Sequence, residues 1–431
     1  MSDELLSRGT CRTGRRHDAA WTLPSVHRVH PGARLFRLGL GASLALAVAA
    51  CAPSHAGIAP GVPPVVATGD SATDRPPAER SRVAGQIDAY LDSLSRTGKF
   101  AGTVLVAERG HTMLERSYGE ASVELHVLLT NGLRYRLHSI TKQFTATAVL
   151  ALSARGRLDL DAPVRRYLPE LPAAWGAATV AQLLTHTSGI PDAESTWADS
   201  FMQHDVHTQL ENLALVAPRL AMDSLASPPG TAWRYNNFGY DLLACVIERV
   251  AGQPFEAFVR TAVFEPAGMV GAGFDQRSET NPNHGRYVAP AVVEGLAPGY
   301  NGDAAHLMGA APQMYASAGA GGMYATAEDL LRYDAALTAG SILPPAVAQQ
   351  AVARAHVLRP TGAYGYGWII TRSLAGDYFL HHSGGNNGYG TEYARFPREG
   401  ATVIVLSNRG YSEPEEVRHV ITRLLFGGRY P

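Results

Sequence analysis

The chain has 431 residues, 46% of them hydrophobic and 17% charged, with a formal net charge of −1. That size and composition exclude a disordered, collagenous or coiled-coil chain, and the near-neutral balance argues against a nucleic-acid binder, which carries a basic face. Of the 37 Lys and Arg residues only Lys99 and Lys142 are lysine, so each invites the question of why arginine would not serve.

Residues 1–37 hold seven Arg against Asp3, Glu4 and Asp18, and a thirteen-residue apolar run, Leu38 to Ala50, follows. The run is shorter than the roughly 20 residues of a membrane span. A basic segment, an apolar core and small residues before a cut point describe an export signal over 1–50. Val48-Ala49-Ala50-Cys51 resembles a bacterial lipobox, which makes Cys51 the candidate lipidation site. The expected location is the periplasm, either free or attached to the membrane through that lipid; a plain secretory signal cut near Ala50 is the alternative. Residues 51–80 are rich in Pro, Ala and Gly and read as a flexible tether to a domain over 81–431. Cys245 is the one cysteine inside that domain, and no C-x-x-C pair is present, so neither a disulfide framework nor a zinc site is expected.

Val83, Ile87, Tyr90, Leu91 and Leu94 recur with helical period up to Gly98. GTVLVAE (102–108) and TMLERSY (112–118), joined by Arg109-Gly110-His111, suit a β-hairpin. Near the other end, segments 366–372, 377–382, 391–396 and 402–408 read as strands between Gly and Pro turns. Ser412 and Glu415 form a capping-box pattern before a last amphipathic helix, and Thr179/Gln182 and Thr326/Asp329 form two more. The expected fold is mixed α/β (α+β). An antiparallel sheet of about five strands is built from about 81–136 and 360–431 and flanked by helices. An all-helical region, about 137–359, is inserted between its halves. A seam between two such regions is a natural place for a site.

Three constellations carry chemistry. Ser139 and Lys142 lie three apart at a helix start, where a neutral lysine can take the hydroxyl proton and the serine N–H can help hold an oxyanion. Tyr235 and Asn237, two apart before a helix, can point the same way; a phenol near a cationic lysine can act as general base, and the amide can bind a substrate carbonyl or orient the lysine. Read blandly, Tyr235 is a packing aromatic and Asn237 a helix cap. The third constellation, His382-Ser383-Gly384-Gly385, follows an apolar strand. His382 can relay protons or bind a carboxylate there, Gly384 lets a substrate approach, and the Gly385 N–H offers a second oxyanion donor. His381, its neighbour, should point to the other sheet face and be structural.

In this order, S-x-x-K, Y-x-N and H-x-G resemble the serine β-lactamase and penicillin-binding-protein superfamily, especially its class C β-lactamase-like esterases and D-peptidases. FAGTVLVAERG (100–110), GRLDLDAPVRRYLP (156–169), LLTHTSGIPD (183–192), AGGMYATAEDLLRY (320–333) and YGYGW (364–368) extend the resemblance over about residues 83–426. It implies a β-lactamase/transpeptidase-like fold, Ser139 as the acylated nucleophile, Lys142 as its proton acceptor and Tyr235 as general base. It also implies Asn237, His382 and Gly384 as substrate ligands, and the Ser139 and Gly385 N–H groups as oxyanion hole. His186 belongs to a family signature and reads as scaffolding. Where β-lactamases carry K-T-G, this chain has His382, mostly neutral at pH 7, which weakens capture of an anionic substrate.

The expected function is therefore a serine hydrolase that forms an acyl-enzyme on Ser139. Its expected substrate is a small ester or peptide, cleaved as an esterase or D-amino-acid-type peptidase, with weak β-lactamase activity as a further option. The alternative is a penicillin-binding or cell-wall sensor protein that acylates without turnover. No cofactor, no metal and no nucleic-acid partner are expected, and a monomer is; H-E-x-x-H is absent from the sequence.

Overall fold

A computed structural model of the chain describes residues 75–220, 224–275, 292–303, 305–310, 317–359, 362–373 and 376–431. The expected export signal, Cys51 and most of the expected tether lie outside the described residues.

Eight strands form one antiparallel sheet. They are β1 (Gly102–Glu108), β2 (His111–Tyr118), β3 (His356–Arg359), β4 (Gly362–Tyr364), β5 (Ile369–Arg372), β6 (Tyr378–Asn386), β7 (Tyr389–Phe396) and β8 (Ala401–Ser407), in the order β3-β4-β5-β6-β7-β8-β1-β2. The two chain ends meet where β1 pairs with β8, Gly102 opposite Ser407. The sheet exceeds the expected five or so strands because β3 and β4, of four and three residues, are too short to leave a strand pattern in the sequence. The β1–β2 turn holds Arg109 at φ 51° and Gly110 at φ 78°, the left-handed pair that matches the twist of a two-residue hairpin.

The sheet is covered on both faces, so β1 and β8 are buried throughout and show no polar alternation. The period of two appears instead in which core each residue joins. Val104, Val106, Val403 and Val405 pack under Val83, Ile87 and Leu91 of α1 (Pro77–Arg96) and Val417, Ile421 and Leu425 of α5 (Pro414–Phe426). Leu105, Ile404 and Leu406 join the larger core, which also holds α2 (Thr141–Ala154), α3 (Asn237–Ala251) and α4 (Ala327–Ala339). On β6 the same alternation sends Phe379 to the first core and Leu380 to the second.

Three expectations are corrected. Helix α1 begins at Pro77, inside the expected tether, because Pro76-Pro77 supplies a helix start that needs no N–H. The capping box at Ser412 does not form: Pro414 takes the first helical position, Glu413 is the N-cap without a side-chain bond, and Ser412 Oγ pairs with Ser407 Oγ at 2.8 Å. The boxes at Thr179 and Thr326 do form. The inserted region is not all helical: Gly273–Phe274 and Met323–Ala325 are strands there, in a small three-stranded sheet completed by Tyr135–Arg136 just before it.

Candidate active site

Ser139 sits in a single 3-10 turn, His138–Ile140, that runs straight into α2 at Thr141. The three-residue offset puts Lys142 on the same side of the helix start, with Nζ 3.2 Å from Ser139 Oγ. Lys142 Nζ donates to Asn237 Oδ1 at 2.8 Å and to the Ala320 carbonyl at 2.9 Å. The Tyr235 hydroxyl donates to Ser139 Oγ at 2.8 Å, and its ring lies beside Nζ, 4.8 Å from ring centre to nitrogen. One serine oxygen is thus flanked by a lysine and a phenol from separate stretches of chain.

Asn237 is free for this role because Asn236 does the capping. The Asn236 side chain accepts from Gly239 N–H at 2.9 Å, which makes Asn237 the first residue of α3. Asn237 then uses both ends of its amide, Oδ1 on Lys142 and Nδ2 on Glu194 Oε2 at 2.8 Å. Tyr235 is bracketed by His186, whose carbonyl accepts from Arg234 N–H at 2.9 Å and whose Nδ1 accepts from Asn236 N–H at 3.2 Å. The His186 ring also lies under Tyr235 with centroids 4.4 Å apart. That contact gives the expected scaffolding residue a definite target.

Charge in this cluster is set by burial. Lys142 is 0% exposed, and desolvation lowers its pKa from 10.5 to about 7, against the opposing pull of Asp241, Glu194 and Asp192. A neutral amine has two N–H donors and one lone pair. With the donors on Asn237 and Ala320, the lone pair is left for the hydroxyl of Ser139. Tyr235 departs from expectation: burial pushes its phenol above the ordinary value of 10, and its hydroxyl donates to Ser139. The phenol therefore holds its proton at rest, and the neighbour of Ser139 with a pKa near neutrality is Lys142.

β6 runs on past His382, the expected strand end, to Asn386. Burial, and then the Lys142 charge, lower the His382 pKa to about 3, so the ring is neutral. Its Nε2 lies 3.0 Å from the Tyr364 hydroxyl and its Nδ1 2.7 Å from the Ser383 carbonyl. The tautomer assigned from these partners donates from Nδ1 and accepts at Nε2. With both nitrogens engaged and 3% exposure, His382 has no cation or spare donor for a substrate carboxylate; it holds Tyr364 instead. His381 turns to the opposite face, as expected, and meets Glu392 at 3.0 Å.

Strand β5 pairs with β6 only from Tyr378 to His381, so Ser383–Asn386 have no strand on that side among the described residues. This edge abuts the serine turn. A Cβ at Gly384 would lie 2.1 Å from the Leu137 carbonyl oxygen, an approach that only glycine permits. Thr391 Oγ1 donates to the same carbonyl at 3.1 Å, which fixes the distance at which Gly384 and Gly385 stand from Ser139. Among the described residues no group of three His, Cys, Asp or Glu could hold a metal ion.

The fold thus gathers Ser139, Lys142, Tyr235, Asn237, His382, Gly384 and Gly385. Glu194, the Ala320 carbonyl, Tyr364 and Asp241 escaped the sequence reading, although Ala320 and Tyr364 lie inside quoted signatures. What was missing is a local signal: Glu194 and Ala320 meet the cluster across 43 and 178 residues, Tyr364 reaches His382 from a separate strand, and the bond of Asp241 goes to Ser317, 76 residues away.

Comparison with known proteins gives a consistent picture. The family described as Beta-lactamase matches residues 87–426. Penicillin-binding protein 4* of Bacillus subtilis (strain 168) is 30% identical over 362 residues, covering 80% of this chain and 76% of that protein. Esterase EstB of Burkholderia gladioli is 31% identical over 363 residues, covering 77% and 92%. The crystal structure of a penicillin binding protein from Bacillus halodurans superposes with a TM-score of 0.64 at 27% identity, covering 78% of this chain and 99% of that one.

Proposed function

The chain belongs to the Beta-lactamase family, and from that premise we propose that it is a serine hydrolase that cleaves esters through an acyl-enzyme on Ser139. One observation carries the reading: Ser139 Oγ lies 3.2 Å from the nitrogen of a fully buried lysine whose pKa is lowered to about 7. Arginine could not take this place, because a guanidinium stays protonated.

In the acylation step Ser139 Oγ attacks the ester carbonyl carbon as its proton passes to the Lys142 lone pair. The carbonyl π pair moves onto oxygen, where the Ser139 and Gly385 N–H groups form the oxyanion hole. Collapse of the tetrahedral species breaks the bond to the leaving alkoxide. Tyr235 gives that alkoxide its proton and is reprotonated at the expense of the Lys142 ammonium. Water then repeats the sequence on the acyl-enzyme, with Lys142 and Tyr235 in the same roles, and releases the acid and free Ser139.

Esters are favoured over β-lactams because recognition of a β-lactam carboxylate calls for a cation, and His382 is neutral with both ring nitrogens engaged. The similarity to Esterase EstB supports the same choice. Amides of D-amino-acid type and weak lactam hydrolysis remain within the reach of this mechanism. The similarity to penicillin-binding protein 4* favours one second reading, acylation of Ser139 without turnover.

The test incubates the protein with a short-chain p-nitrophenyl ester and with a fluorescent penicillin, following intact mass for wild type and Ser139→Ala. Ester turnover that disappears in Ser139→Ala is expected. Turnover or labelling undiminished in that variant overturns the assignment, and a stable adduct without turnover selects the second reading.

A further inference from the structure

Asp241 is a buried carboxyl group to which the mechanism above assigns no task. It lies on α3 one turn after Asn237, at 0% exposure, and its Oδ2 accepts from Ser317 Oγ at 2.8 Å. Ser317, 2% exposed, is the N-cap of the short helix Ala318–Gly321. That helix contains Ala320, whose carbonyl takes one of the two Lys142 hydrogens, while Asn237 takes the other. The two acceptors that aim the lysine therefore sit on two separate elements, and the Asp241–Ser317 bond is a direct side-chain link between those elements. Thr145 of α2 donates to the adjoining Gly319 carbonyl at 2.6 Å, so the segment is also tied to the helix that carries Lys142.

We propose that Asp241 is a positioning residue for Lys142: by holding Ser317 it clamps the Ala320 carbonyl in register with Asn237, so that the lysine lone pair stays aimed at Ser139. The proposal rests on the reading of Lys142 as proton acceptor. Loss of the clamp leaves the segment tied to α2 through Thr145 but no longer to α3, so the Ala320 carbonyl can shift relative to Asn237 and the lone-pair direction of the amine with it.

Asp241 also bears on the charge of the lysine. Desolvation lowers the Lys142 pKa; Asp241 from α3 raises it most, and Glu194 and Asp192, from the stretch after Gly189, raise it further. The other ionisable groups that face the amine carry no charge near neutrality. Tyr235 and Tyr240 present ring faces and are pushed up by burial. His138, His186 and His382 are pushed down by burial, with the Lys142 charge acting in the same direction. Burial pushes the Asp241 carboxyl itself up, and the Ser317 hydrogen bond and the Lys142 charge oppose that.

The experiment compares wild type with Ser317→Ala, Asp241→Ala and Asp241→Asn, reading kcat and KM on the p-nitrophenyl ester, the pH profile of kcat/KM and the melting temperature. Ser317→Ala and Asp241→Ala are expected to lower kcat roughly 10- to 100-fold, the size of effect that follows misplacement of a catalytic group, with KM little changed. Asp241→Asn keeps an acceptor for Ser317 and should recover most of kcat. Wild-type kcat in Ser317→Ala, or a kcat in Asp241→Asn as low as in Asp241→Ala, overturns the proposal. If Asp241→Ala fails to fold, Ser317→Ala, which deletes one hydroxyl, still decides it. Intact mass separates the two levels: a wild type never acylated on Ser139 defeats the underlying mechanism. Wild type and Ser317→Ala acylated at equal rates defeat the clamp alone.

Discussion

His381 and His382 are neighbours on β6, yet they stand in opposite electrical surroundings. His381 faces the layer of α1 and α5, where its Nδ1 meets Glu392 Oε1 at 3.0 Å and the same oxygen accepts from Arg418 Nε at 3.1 Å. Phe379 stacks on its ring, with centroids 4.8 Å apart. His382 faces α2, among Tyr364, Tyr235 and Lys142, and is held neutral. Fixed opposite charges thus lie on the face where a helix must be fastened to the sheet. On the other face lie groups that burial holds neutral, and among them Lys142, lowered to about 7, is the one that exchanges a proton at little cost. Sequence neighbours on a strand share no environment, because the pleat sends them to different cores.

The comparison implies that substitutions on the serine face cost activity and those on the helix-fastening face cost stability. The strongest challenge is Lys142→Arg, which makes the positive charge permanent and removes the proton acceptor; kcat should fall about a thousand-fold. Retained activity in that variant would dissolve the distinction. Tyr235→Phe leaves Lys142 in place and removes the proton donor, so a loss of roughly a hundred-fold in kcat is expected from stopped-flow or steady-state assays. The pH profile comes next. Below the Lys142 pKa of about 7 the amine holds its proton and cannot accept another, so kcat/KM should fall roughly ten-fold per pH unit on the acidic side and level off above neutrality. The smallest effect on catalysis is expected from Glu392→Ala. It should leave kcat unchanged while unfolding shifts by about 3 kcal/mol in urea, since a buried guanidinium loses its partner. A large kcat loss at unchanged stability would show that the two faces are not separable.

Much of the site was legible because its chemistry needs particular side chains at short spacings. Ser139 with Lys142 and Tyr235 with Asn237 each fit within one turn or one extended step. The long strands were legible as well, since apolar runs such as 402–408 read directly. What stayed hidden depends on contacts with no local pattern. Asn236 and Asn237 look alike in sequence, and only the geometry of the helix entry decides that the first caps α3 and the second reaches Lys142. Ser412 and Glu415 have the right spacing for a cap, but Pro414 moves the helix start and leaves the serine to another partner. The phenol of Tyr235 was expected near a cation, whereas burial that neutralises Lys142 also keeps the phenol protonated.

The pairing of β1 with β8 joins residues about three hundred positions apart, and such distant partners fold slowly because a long loop must close first. The hairpin of β1 and β2 is made early, but its inner edge has nothing to pair with until the final strand has left the ribosome. Gly384 likewise meets the carbonyl of Leu137 only after most of the polypeptide exists. An unfinished chain therefore has Ser139 but not the strand edge that abuts it, and losing residues 401–431 would deprive β1 of its partner.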